Sequence, residues 1–131
     1  MDAAQALSDL TEISSQIEAT VILDADGSML ASTLDEARSR DLAASAQALL
    51  AAVGRAAGGG TKELAQLEVA TSDGSVFLVR DEQRTIAATT GPEPTVGLVF
   101  YDLKTCLRVV AQEEKPKPKR ASAKSGSDAA S

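Results

Sequence analysis

Three places in this chain hold residues that could do chemistry. Asp24 and Asp26 lie two residues apart and could offer carboxylates to a divalent cation. Gly58-Gly59-Gly60-Thr61-Lys62 has the glycines and the lysine of a phosphate cradle. Cys106 is the single thiol. Each meets a simpler explanation. A calcium loop needs further oxygen ligands at set positions and a late glutamate, and the residues after Asp26 do not supply them. Asp26-Gly27 is ordinary turn chemistry. A phosphate loop needs Gly-Lys followed by Ser or Thr, after a strand and before a helix. Here Thr61 precedes Lys62, and the run follows a helical stretch and precedes an extended one. Cys106 lies on an apolar helical stripe and reads as a small core residue.

The remaining chemistry is limited by what is missing. The chain contains no histidine, so it lacks the commonest general base near neutral pH and the commonest metal ligand. Neither a Ser-His-Asp nor a Cys-His arrangement can form within one copy, and one cysteine excludes the usual zinc clusters. No catalytic residue, cofactor or metal is therefore expected, and the protein reads as a non-enzyme.

Charge points the same way. Residues 1–114 carry 18 Asp and Glu against 8 Lys and Arg, a net of −10. Residues 115–131 carry Lys115, Lys117, Lys119, Arg120 and Lys124 against Asp128, a net of +4. An acidic domain repels nucleic acid, and Phe77, Phe100 and Tyr101 are the only aromatic residues available for stacking on bases. No nucleic-acid partner is expected. No apolar run approaches the roughly 20 residues that span a bilayer. With no basic, apolar leader at Met1 and no possible internal disulfide, a cytoplasmic protein is expected.

The elements that must position these residues are marked by a repeated signal. Residues 20–33 and 67–80 each contain a β-rich run, then Asp-Gly, then a second β-rich run. Asp26-Gly27 and Asp73-Gly74 suit the positive φ of tight hairpins. A first helix is expected over 2–14, with Leu7, Leu10, Ile13 and Ile17 at helical spacing. Strands follow at 19–24 and 28–33. Asp35 can cap a second helix running to Ala57, whose apolar stripe is Leu42, Ala46, Leu49, Leu50, Val53 and Ala57. Arg38 stands where a capping box would need Glu or Gln. The triple glycine ends this helix. Strands are expected at 63–71, 75–80 and 85–90, then a third helix at 94–110. Pro94 suits its first turn, and Val96, Val99, Leu103, Cys106, Leu107 and Val110 form its buried stripe.

The fold class is therefore α/β (α+β) in the order α-β-β-α-β-β-β-α, a five-stranded, mainly antiparallel sheet with helices on both faces. Val21-Ile22-Leu23 and Val76-Phe77-Leu78-Val79 are apolar on both faces and belong inside the sheet. The second and third strands are more polar and belong at its edges. One domain is expected over 1–111. Residues 112–131, rich in Lys, Pro, Ala and Ser, are expected to be a disordered basic tail.

One feature exceeds background. The second helix carries Ala37, Ala43, Ala44, Ala46, Ala48, Ala51, Ala52, Ala56 and Ala57, on more than one face. Small residues let another backbone approach closely. The third strand beside it is a candidate edge with Ala65, Leu67 and Val69 on one face. A helix and an edge strand of this kind make a self-complementary patch, which two copies could share about a two-fold axis.

The pattern of a short helix, then ATVILDADGSMLAST, a long Ala/Leu helix, LEVATSDGSVFLVRD, RTIAATT, and a glycine in the last helix (Gly97) resembles the Roadblock/dynein-light-chain family over about residues 4–110. The resemblance implies a profilin-like, non-enzymatic module that forms homodimers, or heterodimers with a paralogous Roadblock protein. It implies sheets joined through the third strand and second helices packed side by side. The interface residues would then be Leu42, Ala46, Leu49, Leu50, Val53, Ala65, Leu67 and Val69. It further implies binding to a Ras-like small GTPase, as regulator or localiser. A scaffold or light-chain-like adaptor without a nucleotide link would use the same surfaces, and a small-ligand sensor is a third reading.

Overall fold

The three inner strands are covered on both faces because they are apolar on both faces. The computed structural model describes residues 2–57 and 66–114, in the order α1 (Ala3–Ile13), β1 (Ile17–Leu23), β2 (Met29–Ser32), α2 (Glu36–Ala56), β3 (Gln66–Ala70), β4 (Ser75–Arg80), β5 (Thr85–Thr90) and α3 (Val96–Glu114). All strand pairs are antiparallel, in the spatial order β2-β1-β5-β4-β3. The more polar β2 and β3 are the edges, as the sequence pattern predicts. The last strand of the chain, β5, takes the centre. Its Ile86, Ala87 and Ala88 are all fully buried.

Two apolar layers result. On one face Ile22, Phe77, Val79, Ile86 and Ala88 pack under α1 and α3. Phe77 and Phe100 meet edge to face at 5.0 Å and 73°, an arrangement worth about 0.5–1.5 kcal/mol beyond the area it buries. On the other face Val21, Leu23, Leu78 and Ala87 pack under Leu42, Ala46 and Leu50 of α2. α2 lies chiefly over β1 and β5. The small side chain of Ala87 at the sheet's centre lets that helix sit close.

The turns depart from the expected form in an instructive way. In the β1–β2 hairpin the Gly27 amide donates to the Asp24 carbonyl (3.0 Å), and Asp26 Oδ1 accepts from the Ser28 amide (2.9 Å). Positive φ falls on Gly27 alone, at 90°, and not on Asp26. The loop is thus a turn closed by a left-handed glycine rather than a pair of left-handed residues. The β3–β4 turn is held by Thr71. Its hydroxyl donates to the Gly74 carbonyl (2.8 Å) and accepts from the Asp73 and Gly74 amides (3.2 Å each). In the β4–β5 turn Asp81 Oδ1 accepts from the Gln83 and Arg84 amides.

The helix starts are capped by aspartates. Asp2 accepts from the Gln5 amide, and Asp35 Oδ1 accepts from the Arg38 amide at 2.9 Å. Arg38 Nε also donates to Asp35 Oδ2 at 3.0 Å, a cation standing where a capping-box glutamate would. These two bonds, the amide first, hold the Asp35 carboxyl below the usual carboxylate range. Asp26 is held low by the Ser28 hydroxyl and amide. Ser32, Leu34 and Ser39 tie β2 to α2. Ser39 Oγ donates to the Leu34 carbonyl (3.1 Å), Ser32 Oγ accepts from the Leu34 amide (2.9 Å), and the two hydroxyls meet at 2.6 Å.

Several expectations are corrected. Ile17 opens β1 and does not continue the α1 stripe. The Ser14 amide bonds back to the Leu10 carbonyl, and the chain then turns into the sheet. Ile13, on the last turn of α1, is 72% exposed. Val96 is exposed too, because α3 begins there, beyond Pro94, with the first turn only partly over the sheet. Ala57 is exposed at the end of α2. α3 continues past 110 to Glu114. The triple glycine, the first residues of the expected third strand and the tail from 115 lie outside the described residues.

Two predictions follow from this geometry. A Cβ on Gly74 would stand 2.3 Å from the Thr90 carbonyl oxygen, a backbone atom that cannot yield cheaply. A Cβ on Gly27 would meet only the end of the Gln47 side chain. Gly74→Ala should therefore cost about 2–3 kcal/mol by urea unfolding and Gly27→Ala about 1 kcal/mol, mostly from its left-handed φ. Separately, a depressed carboxyl stabilises above its unfolded pKa and loses that contribution as pH falls through the folded value. Asp35→Asn keeps the capping oxygen without the titration, so its urea midpoint should fall less than that of the unmodified protein as pH drops below about 3.9.

Candidate interaction surface

The eight residues expected to form an interface fall into three groups. Leu42, Ala46 and Leu50 are buried against the protomer's own sheet. Leu49, Val53, Leu67 and Val69 are half-buried. Ala65 lies outside the described residues. Periodicity marks an apolar stripe without saying which part of it the protomer itself covers. Here α2 turns the middle of its stripe inward and leaves Leu49 and Val53 on its flank.

The register of the hairpin supplies the other half of the surface. Leu67 pairs with Leu78, and Val69 with Val76, so all four lie on the face that carries α2. Leu78 is buried, whereas Leu67, Val69 and Val76 are half-buried. Leu49, Leu67 and Val76 pack against the rim of the same core. The result is a shelf of half-covered aliphatic side chains beside α2. Val76 belongs to it and was missed in the sequence, because an inner strand was expected to be covered on both faces. Exposed Ser45, Ala48 and Ala52 add a narrow strip of small residues to α2. β3 bonds to β4 on one side, and among the described residues no strand pairs with its other side.

Of the residues with chemical potential, Asp24, Asp26 and Cys106 are described, and residues 58–62 lie outside the described residues. Asp24 and Asp26 belong to the β1–β2 turn. Among the described residues no group of three Cys, Asp or Glu side chains could hold a metal ion. Cys106 is buried between α1 and α3, where burial first and the nearby Asp9 carboxylate second push its thiol up to about 11. No helix among the described residues is long and apolar enough to cross a membrane.

A thiol this far above its ordinary range is only about one part in a thousand thiolate at pH 8. Ellman's reagent should leave Cys106 unmodified in the folded protein over minutes and titrate one thiol per chain in denaturant.

Known proteins share this architecture. A Roadblock/LC7 domain from Streptomyces avermitilis is 22% identical, with 86% of this chain and 98% of that one aligned at a TM-score of 0.73. MglB of Myxococcus xanthus is 13% identical over 86% of this chain and 84% of its own, at a TM-score of 0.61. The gliding protein MglB of Thermus thermophilus is 13% identical over 84% and 86%, at 0.62. At these identities the likeness is one of fold. No curated protein matches the chain in sequence. The sequence model of the Roadblock/LC7 domain matches residues 3–90, from the start of α1 to the end of β5. On that match, together with the shared architecture, the chain belongs to the Roadblock/LC7 domain family.

Proposed function

We propose that the protein is a non-enzymatic dimeric module that binds a Ras-like small GTPase and regulates or localises it. One observation carries the dimer. The shelf of Leu49, Val53, Leu67, Val69 and Val76 runs up to the edge of β3, with which no second strand pairs among the described residues. Bare aliphatic surface beside an unpaired strand edge is a liability in a monomer and a template for pairing. A two-fold axis at β3 brings two such edges together antiparallel. It places each α2 flank near the other and extends the sheet to ten strands. The partner is a second copy or a paralogous Roadblock protein. Leu42, Ala46 and Leu50 support this surface from beneath, as the packing that fixes α2 to the sheet.

The GTPase is proposed on family grounds, since the fold is shared with Roadblock proteins. A dimer offers a composite surface across both α2 helices, wider than one protomer presents. It would act by holding the GTPase in one conformation, since the chain brings no histidine and no metal site among the described residues.

Light scattering should give a dimer at micromolar concentration. Val69→Asp places an unpaired charge at the proposed junction and should raise the dimer dissociation constant about a hundredfold, equivalent to roughly 3 kcal/mol. The far-ultraviolet dichroism of the variant should be unchanged, because Val69 is only half-buried in the protomer. In capture from native extract, a small GTPase should be retained in its GTP-loaded form and lost without nucleotide. A partner retained equally in both conditions favours the adaptor reading, and a monomer removes the basis for either.

A further inference from the structure

The seam between α1 and α3, on the face of the sheet away from the β3 edge, carries charge of one sign. α1 and its cap hold Asp2, Asp9 and Glu12 and no basic residue. Between the two helices runs a mostly apolar groove of about 140 Å³, lined by Leu10, Ile13, Cys106 and Val109 together with the half-buried Asp9 and the buried Asp102. Asp9 Oδ1 accepts a hydrogen bond from the side-chain Nε2 of Gln5. Among the described residues no cation pairs with Glu12 or Asp102. The Thr105 hydroxyl is buried in the groove without a hydrogen-bond partner.

We infer that this groove is the docking site of the chain's own C-terminal segment, residues 115–131. Charge complementarity is the first reason. The segment has five cations and one anion, and the accessible carboxylates of Asp9 in the groove and Glu12 beside it on α1 have no counter-ion among the described residues. The second is where the segment is tethered. α3, one wall of the groove, ends at Glu114, five residues beyond Val109 and twelve beyond Asp102. Twelve helical residues rise about 18 Å, whereas 17 extended residues reach about 56 Å. The segment spans the groove with length to spare, and its tether supplies an effective concentration in the millimolar range.

The third reason is that neighbouring surfaces suit it less. The groove on the other side of α3 presents Lys104 and Arg108 on the helix itself, with Asp81 as its one carboxylate, and so attracts a basic chain less. The acidic start of α2 is already engaged, with Arg38 on Asp35 and Arg40 on Glu36, each at 3.0 Å. Pro116 and Pro118 add apolar rings and a restricted φ, so less chain entropy is lost on docking. The Lys stems can lie along Ile13 and Val109 while their ammonium groups meet Asp9 and Glu12. A partner reaching this groove must displace the segment. Docking leaves the β3 edge free, so it operates in a monomer or in a dimer.

The test uses the full chain, ¹⁵N-enriched, with a nitroxide on Ser125→Cys; Cys106 stays unlabelled because it is buried. At about 20 mM salt the amides of Asp9, Ile13 and Thr105 should lose more than half their signal, and at about 500 mM they should recover. The pair Asp9→Lys and Glu12→Lys should abolish the broadening, and the salt series on the unreversed chain stands without that variant. Unbroadened groove amides, or broadening centred on α2 and β3, would overturn the inference. So would broadening that appears only when a labelled, unenriched copy is mixed with an enriched, unlabelled one.

Discussion

The structure depends on one constraint: the inner strands are apolar on both faces and must be covered twice. Val21, Ile22 and Leu23 of β1 are buried in succession, and so are Ile86, Ala87 and Ala88 of β5. Neighbouring residues of a strand point to opposite faces, so such runs leave no face for water. A single layer of helices could not satisfy them. The chain answers with α1 and α3 on one side and α2 on the other, and the order of elements follows from that requirement.

The two covers are unequal. α1 and α3 close over Phe77, Val79, Ile86 and Ala88, and the contact of Phe77 with Phe100 anchors α3 to β4. α2 works alone over β1 and β5. The far side of its face, where Leu67, Val69 and Val76 lie, is left half-covered. This asymmetry is the ground on which a second copy is proposed at the α2–β3 side. The α1–α3 side is complete as a core and distinctive instead in its charge. The two proposals therefore concern opposite faces of one sheet and do not compete for residues.

Much of the fold was legible because its signals are local. Edge strands announce themselves by polarity, and β2 and β3 are where that polarity placed them. Asp35 caps α2 because a carboxylate before an Ala-rich run has few better roles. The turns were legible in position but not in mechanism. Asp73 looked equivalent to Asp26, yet Thr71 holds the second turn. A hydroxyl that donates to one carbonyl and accepts from two amides needs a particular backbone path, and that path is not written in residue type.

The sequence by itself determined the element order, the identity of the inner and edge strands, the lack of histidine chemistry and the charge contrast between acidic residues 1–114 and basic residues 115–131. Each depends on composition or on neighbours a few residues apart. Only the tertiary structure decided which side of each stripe is spent. Leu42 and Leu50 went into the protomer's core, Leu49 and Val53 stayed at its flank, and Ile13 was left standing at a groove between helices. A helical period shows that a face is apolar. Whether another element of the same chain reaches that face depends on helix length, crossing and where the chain turns, and these are settled only when all the layers pack together.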